Sequence, residues 1–189
     1  MILYGPAGCG KTSIAEIIAD HFALSSYSFN ASCDTKAKLK EIVEGAKRYT
    51  NTVLIIDEIH RMKKDVQDYL LPFVESGILT IVGLTTENPY RAINPAIRSR
   101  THIYRLNEIT EKDVLTLLKK TIEQEHLPPV EENILRYICT VSSCEIRSAL
   151  NMLEITTMLD PDEITLEHVQ QLIGKKSFLI DEEGENYYD

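Results

Sequence analysis

Apolar residues follow two different rhythms along this chain. In the first hundred residues, short apolar runs alternate with stretches at helical spacing. "MILY" (1–4), "SYSFNA" (26–31), "TVLIID" (52–57), "ILTIVGLTT" (78–86) and "HIYRL" (102–106) read as five strands. "TVLIID" is continuously apolar up to its acid, the pattern of a parallel strand covered on both faces. Between the strands, Thr12 to Phe22 reads as a helix with Ile14, Ile17 and Ile18 on one face. Residues 36–48 read as a second, with Leu39, Ile42, Val43 and Ala46 at helical spacing. "DVQDYLLPFVES" (65–76) reads as a third, in which Pro72 demands a first turn or a kink. Strands alternating with helices predict an α/β fold with a parallel sheet.

After Leu106 the strand signal stops. "ITEKDVLTLLKKTIEQEH" (109–126) places Thr110 as N-cap with Asp113 at N3, close to a capping box, and Pro128 and Pro129 close the helix. Further helices are expected near 131–140, 145–156 and 165–173. The chain therefore divides into an α/β part over 1–106, a small all-helical part over 107–174, and an acidic tail over 175–189.

Composition narrows the class without naming a function. At 189 residues, 43% of them apolar and 26% charged, the chain can bury a sizeable core as one or two domains. No apolar run approaches the roughly 20 residues that span a bilayer, and no signal-peptide pattern opens the chain. The cysteines Cys9, Cys33, Cys139 and Cys144 form neither a CxxC pair nor a zinc spacing, so free thiols in a reducing cytosol are expected. A net charge of −9 argues against a uniformly basic nucleic-acid surface, though not against a local one. The basic stretch 34–48 reads as a solvated helix face. His60, Arg61, Lys63 and Lys64 read either as a DNA-facing patch or as a solvated helix start.

Two motifs carry the chemistry. Gly5-Pro6-Ala7-Gly8-Cys9-Gly10-Lys11-Thr12 fits the pattern G-x-x-x-x-G-K-S/T, with an apolar strand before it and a helix after it. Glycines let successive backbone N–H groups curl around a phosphate chain, and the helix start adds its unpaired N–H groups, including that of Ser13. Lys11 is placed for the β- and γ-phosphates, and the Thr12 hydroxyl for Mg²⁺. The second motif is "VLIIDEIHR" (53–61), where a buried strand delivers two adjacent carboxylates at its C-terminal end. Asp57 is the candidate for the Mg²⁺ shell, and Glu58 for the general base that activates water. The ligands these motifs suit are thus a nucleoside triphosphate and Mg²⁺.

These residues resemble a known family. Gly5–Thr12 look like the Walker A motif and "LIIDE" like the Walker B motif of AAA+ ATPases, and the helical part is similar to the AAA+ lid. "VESGILTIVGLTTENP" (74–89), "INPAIRSR" (93–100) and "IRSALNMLE" (146–154) are similar to the replication-associated recombination protein A group, related to the Werner-helicase-interacting protein. The resemblance implies a five-stranded P-loop domain followed by a lid, and a motor core that hydrolyses Mg²⁺-ATP and acts on DNA at replication forks, in recombination and in repair. It implies Thr86 as sensor 1 at the end of the fourth strand, and Asn30 as the residue that restrains the catalytic glutamate. Arg100 matches the arginine finger that reaches a neighbouring subunit, with Arg98 as its competitor, and Arg147 matches the lid arginine called sensor 2.

The sequence departs from the family at Cys144-Glu145-Ile146, where relatives usually carry Gly-Asp, and at Ala7 and Cys9, where Pro and Thr are commoner. The resemblance also implies a homo-oligomer with single-stranded or forked DNA and replication or repair proteins as partners, and a cytoplasmic, nucleoid-associated place without a membrane. Relatives have sequence before the first strand and an oligomerisation domain after the tail, so this chain reads as the ATPase core of a longer protein. A clamp-loader subunit or a Holliday-junction branch-migration motor would share the finger and the sensors. A nucleotide-dependent binding module would keep Lys11 and Thr12 without needing Glu58 or Arg100.

Overall fold

Five parallel strands, ordered β2-β3-β4-β1-β5, form the sheet of the first unit in a computed structural model that describes residues 1–22, 25–49, 51–160 and 164–173. They are β1 (Ile2–Tyr4), β2 (Ser25–Asn30), β3 (Thr52–Asp57), β4 (Leu79–Thr85) and β5 (Ile103–Arg105). The helices between them are α1 (Lys11–Phe22), α2 (Lys36–Ala46), α3 (Lys64–Glu75), α4 (Pro89–Ala92) and α5 (Pro95–Arg98). A 3₁₀ turn at Ile59–Arg61 follows β3. The chain divides into two compact units at Glu108 and Ile109.

Side chains alternate across each buried strand, and β3 shows how that builds two apolar layers. Leu54 and Ile56 join Ile2 and Ile81 under α2, α3 and α5, where Leu39, Val43, Leu70 and Ile97 close the layer. Val53 and Ile55 join Leu3, Val82 and Leu84 on the opposite face, beneath α1. The α1 face is a correction to the sequence reading. Ala15 and Ala19 are its buried contacts, while Ile17 is 67% exposed. Small residues let the helix lie close to the sheet, and this turns the bulky isoleucine outward. Pro72 sits within α3 on its exposed side rather than ending it.

The basic stretch on α2 is a solvated face: Lys36 pairs with Asp65 at 3.0 Å, Lys38 with Asp34 at 2.8 Å and Lys47 with Glu44 at 2.5 Å.

The second unit begins with α6 (Glu111–Gln124), followed by α7 (Glu132–Val141) and α8 (Ile146–Thr157), and helix also covers 166–173. Val114, Leu118, Ile134, Leu135, Ile138, Leu153 and Val169 form its core. Its first helix carries the reciprocal cap: Asp113 N donates to Thr110 Oγ1 at 3.3 Å, and Thr110 N donates to Asp113 Oδ2 at 3.0 Å. On its surface, hydrogen bonds from Lys119 and Arg136 pull the Glu132 carboxyl down from 4.5 to about 2. The acidic tail over 175–189 lies outside the described residues.

Candidate functional site

A parallel sheet puts the C-terminal ends of its strands on one edge, and this brings the two motifs together. Tyr4 lies beside Thr85, Ile56 beside Gly83, and Asn30 beside Asp57. The loop after β1 therefore opens next to the end of β4, with the acids of β3 one strand further.

The loop is a cradle by construction. Gly8 and Gly10 have φ of 66° and 84°, the left-handed turns that aim consecutive N–H groups to one side. Ile14 N donates to Gly10 O at 3.0 Å, and the N–H groups of the first turn precede it at the mouth of the loop. Lys11 is only 9% exposed, and its ammonium donates to Gly5 O at 3.0 Å and Pro6 O at 2.6 Å. Cys9 is buried beside it, with Sγ 3.8 Å from Nζ, while Thr12 and Ser13 are exposed at the helix start. A buried cation, inward amides and a helix N-terminus suit a polyanion such as a triphosphate.

Gly5 fixes the loop to the sheet. Its N–H donates to Thr85 O at 3.2 Å, and Leu106 N donates to Tyr4 O at 2.8 Å alongside. A Cβ on Gly5 would lie 2.7 Å from Leu106 O, a backbone atom that cannot swing away. Gly5→Ala is therefore expected to lower unfolding stability by about 1–3 kcal/mol through strain. A denaturant titration checks this, and an unchanged midpoint would contradict the crowding.

The acids occupy a strained turn. Asp57 Oδ1 accepts from Glu58 N at 3.0 Å, and Glu58 takes a left-handed backbone with φ 51° and ψ 41°. A non-glycine residue there costs about 1–3 kcal/mol. The turn is held down by Ile59, which is fully buried against β4. It fits because position 83 is glycine: a Cβ there would come within 2.9 Å of Ile59 Cδ1.

This anchoring turns the next residue inward, where the sequence offered it only as DNA-facing or solvated. The His60 side chain is 8% exposed, with Nε2 3.2 Å from Glu58 Oε2. Its Nδ1 lies 2.9 Å from Thr85 Oγ1. Arg61, Lys63 and Lys64 do remain exposed. Arg61 Nε stands 3.7 Å from Glu58 Oε2.

Strand β4 ends at Thr85, one residue earlier than the sequence suggested. Thr85 is fully buried, whereas Thr86 lies just beyond the strand and is exposed. Asn30 ends β2 beside Asp57, but its Oδ1 accepts from Ser32 N at 2.9 Å, and Glu58 pairs with His60 and Arg61 instead. Asn30 N donates to Asp34 Oδ2 at 2.8 Å, and this bond, after that from Lys38, holds the Asp34 carboxyl below its ordinary range. Among the described residues no group of three or more His, Cys, Asp or Glu could hold a metal alone. A Thr hydroxyl and one Asp beside a phosphate cradle are the usual protein share of a Mg²⁺ site.

Comparison with known proteins settles the family. Residues 1–109 match the ATPase family associated with various cellular activities (AAA), and residues 123–189 match the AAA C-terminal domain. The chain belongs to the AAA family.

Within it, the chain is similar along its whole length to curated relatives. It is 37% identical to replication-associated recombination protein A of Bacillus subtilis, covering 48% of that protein, and 32% identical to that of Escherichia coli, covering 46%. It is 31% identical to ATPase WRNIP1 of Dictyostelium discoideum, covering 25% of it. The chain thus spans about half the length of its bacterial relatives. Among solved structures, a Thermotoga maritima RuvB described as a Holliday junction branch migration motor matches 90% of this chain and 59% of its own, at 25% identity and a TM-score of 0.75.

The sequence offered Arg100 as the finger, with Arg98 as its competitor, and Arg147 as the lid arginine. Arg98 ends α5 and Arg100 follows it, and the Asn94 cap of that helix accepts from Ala96 N at 2.9 Å. Buried Gln67 ties that cap to α3, accepting from Asn94 N at 2.9 Å and donating to Met62 O at 2.8 Å. Arg98 lays its guanidinium over the Tyr90 ring at 5.3 Å, with a buried, unpaired Nε. Arg100 faces outward, with Nη2 2.5 Å from Glu75 Oε1 and Nη1 donating to Ala96 O at 2.8 Å. Arg147 is exposed in the first turn of α8, in the second unit. His60 and Thr85 were missed as site residues. The signal available was the small residue at 83, which lets the turn after β3 press onto β4.

Proposed function

We propose that this AAA chain is the Mg²⁺-ATP-hydrolysing core of a DNA-dependent ATPase that works in replication-fork maintenance, recombination and repair. The observation that carries the enzymatic part is the meeting, on one sheet edge, of the Gly5–Thr12 cradle with the acids that end β3. The DNA part rests on identities of 32–37% to replication-associated recombination proteins.

Each residue then has one task. The cradle amides and Lys11 bind the β- and γ-phosphates. Thr12 and Asp57 would hold Mg²⁺, which when bound neutralises phosphate charge. Glu58 orients water and takes its proton; Thr86, just beyond β4, serves as sensor 1, and Asn30, at the end of β2, as restraint. Arg147 contacts the nucleotide from the lid. Arg100 serves the neighbouring copy in a homo-oligomer.

The RuvB likeness favours a second reading, a branch-migration motor, but at lower identity than the recombination proteins. The test is ATP turnover of the protein at its natural full length, with and without single-stranded and forked DNA. Turnover that rises with DNA is expected. Turnover blind to DNA would remove the DNA-dependent part, and nucleotide binding without turnover would leave only a binding module.

A further inference from the structure

We propose that His60 is a positioning residue that governs Glu58, with Thr85 fixing its imidazole and Glu87 serving as the alternate acceptor. This rests on the ATPase reading above and deepens it at the same site.

The geometry defines a directed chain of hydrogen bonds. Thr85 Oγ1 accepts from Glu87 N at 2.9 Å, and its own hydrogen has His60 Nδ1 at 2.9 Å as the nearer of two acceptors, Glu87 O being at 3.5 Å. Donating to Nδ1 places the ring hydrogen on Nε2. That assignment agrees with what Nε2 faces: carboxylate oxygens of Glu58 at 3.2 Å and Glu87 at 3.6 Å. Two ionised carboxylates accept only, so a bare Nε2 lone pair would be repelled from both sides.

One N–H thus stands between two carboxylates. Glu58 Oε2 is the nearer acceptor at 3.2 Å and Glu87 Oε1 the farther at 3.6 Å. The Glu58 carboxylate is 29% exposed and that of Glu87 60%, so Glu87 has room to approach as Glu58 leaves. Loss of that partner from Oε2 would leave both carboxylate oxygens free to accept from water.

The same residue that orients His60 also touches the cradle. Thr85 O accepts the Gly5 N–H while Thr85 Oγ1 meets the imidazole. A shift of the cradle on phosphate binding therefore reaches Glu58 through two hydrogen bonds and one ring. In this design His60 fixes where the Glu58 carboxylate stands beside the loop, and Glu87 takes the N–H when Glu58 turns toward water.

The experiment uses the protein at its natural full length and reads kcat, KM and nucleotide affinity for His60→Ala, His60→Gln, Thr85→Val and the double variant His60→Ala/Thr85→Val. Misplacing a base by about 1 Å costs about 10²-fold, so His60→Ala is expected to lose kcat on that scale with KM and nucleotide affinity little changed. His60→Gln keeps an N–H at similar reach and should recover part of the loss. Thr85→Val preserves shape and removes only the hydroxyl, so it should lower kcat in the same way even if His60→Ala folds poorly. The double variant should be no worse than His60→Ala alone, because both act through one chain.

Wild-type kcat in both His60→Ala and Thr85→Val, or losses that multiply in the double variant, would overturn the proposal. Lys11→Ala and Glu58→Gln run beside them. If those two abolish turnover while the His60 and Thr85 variants do not, only this inference fails. If those two leave turnover intact, the proposed site with Lys11 and Glu58 fails, and this inference with it.

Discussion

Arg100→Ala, in the assembled protein, is expected to lower ATP turnover by about 10³–10⁵-fold while nucleotide binding persists. A guanidinium aimed at a transferring phosphoryl group neutralises charge that is greatest in the transition state, so its loss falls on kcat. Within its own chain Arg100 is already paired with Glu75, and the pair has to yield for the arginine to act elsewhere. Both side chains are roughly half exposed, and such pairs contribute about 0.2–1 kcal/mol. The transition-state term corresponds to about 4–7 kcal/mol, which exceeds the cost of breaking that pair. Specific activity should rise with protein concentration and saturate, and Arg100→Ala should flatten that curve. Activity per chain that ignores concentration across the assembly range would refute action between subunits.

Glu58→Gln is the second large effect. Removing a general base is expected to reduce kcat by about 10²–10⁴-fold, and the amide is nearly isosteric, so ATP binding should be retained. The turn itself should survive, because its backbone is fixed by buried Ile59 against Gly83 rather than by the carboxylate. Equilibrium nucleotide binding beside steady-state turnover separates the two effects. Unchanged turnover would remove Glu58 as the base.

The sheet was legible in the sequence because parallel strands covered on both faces leave continuous apolar runs, and "TVLIID" is such a run from Val53 to Ile56. The cradle was legible because phosphate binding by backbone demands glycines at fixed spacing, and Gly8 and Gly10 take the left-handed turns that this requires. Helix periodicity was a weaker guide. It put Ile17 inside, yet packing distance is set by the smallest residues on a face, and Ala15 and Ala19 decided the orientation of α1. The acids were found as a pair, but their partner was not. His60 reads as one more polar residue in a basic stretch, and only a tertiary fact, the space left by Gly83 for Ile59, drives its ring toward Thr85. Likewise Thr85 and Thr86 are indistinguishable until the last paired residue of β4 is known.

The strand order has a consequence for how the molecule comes into being. Among the five strands of this sheet, β1 comes first in the chain yet lies between β4 and β5, which come last. During synthesis it waits without neighbours until residues 79–105 have emerged, a distant closure of the kind that slows folding. Strands β2 and β3 can meet well before then, but the loop after β1 gains its anchor on Thr85 only at the end. Nucleotide affinity, which the proposed function assigns to that loop, would thus report the docking of β1 on β4 during synthesis.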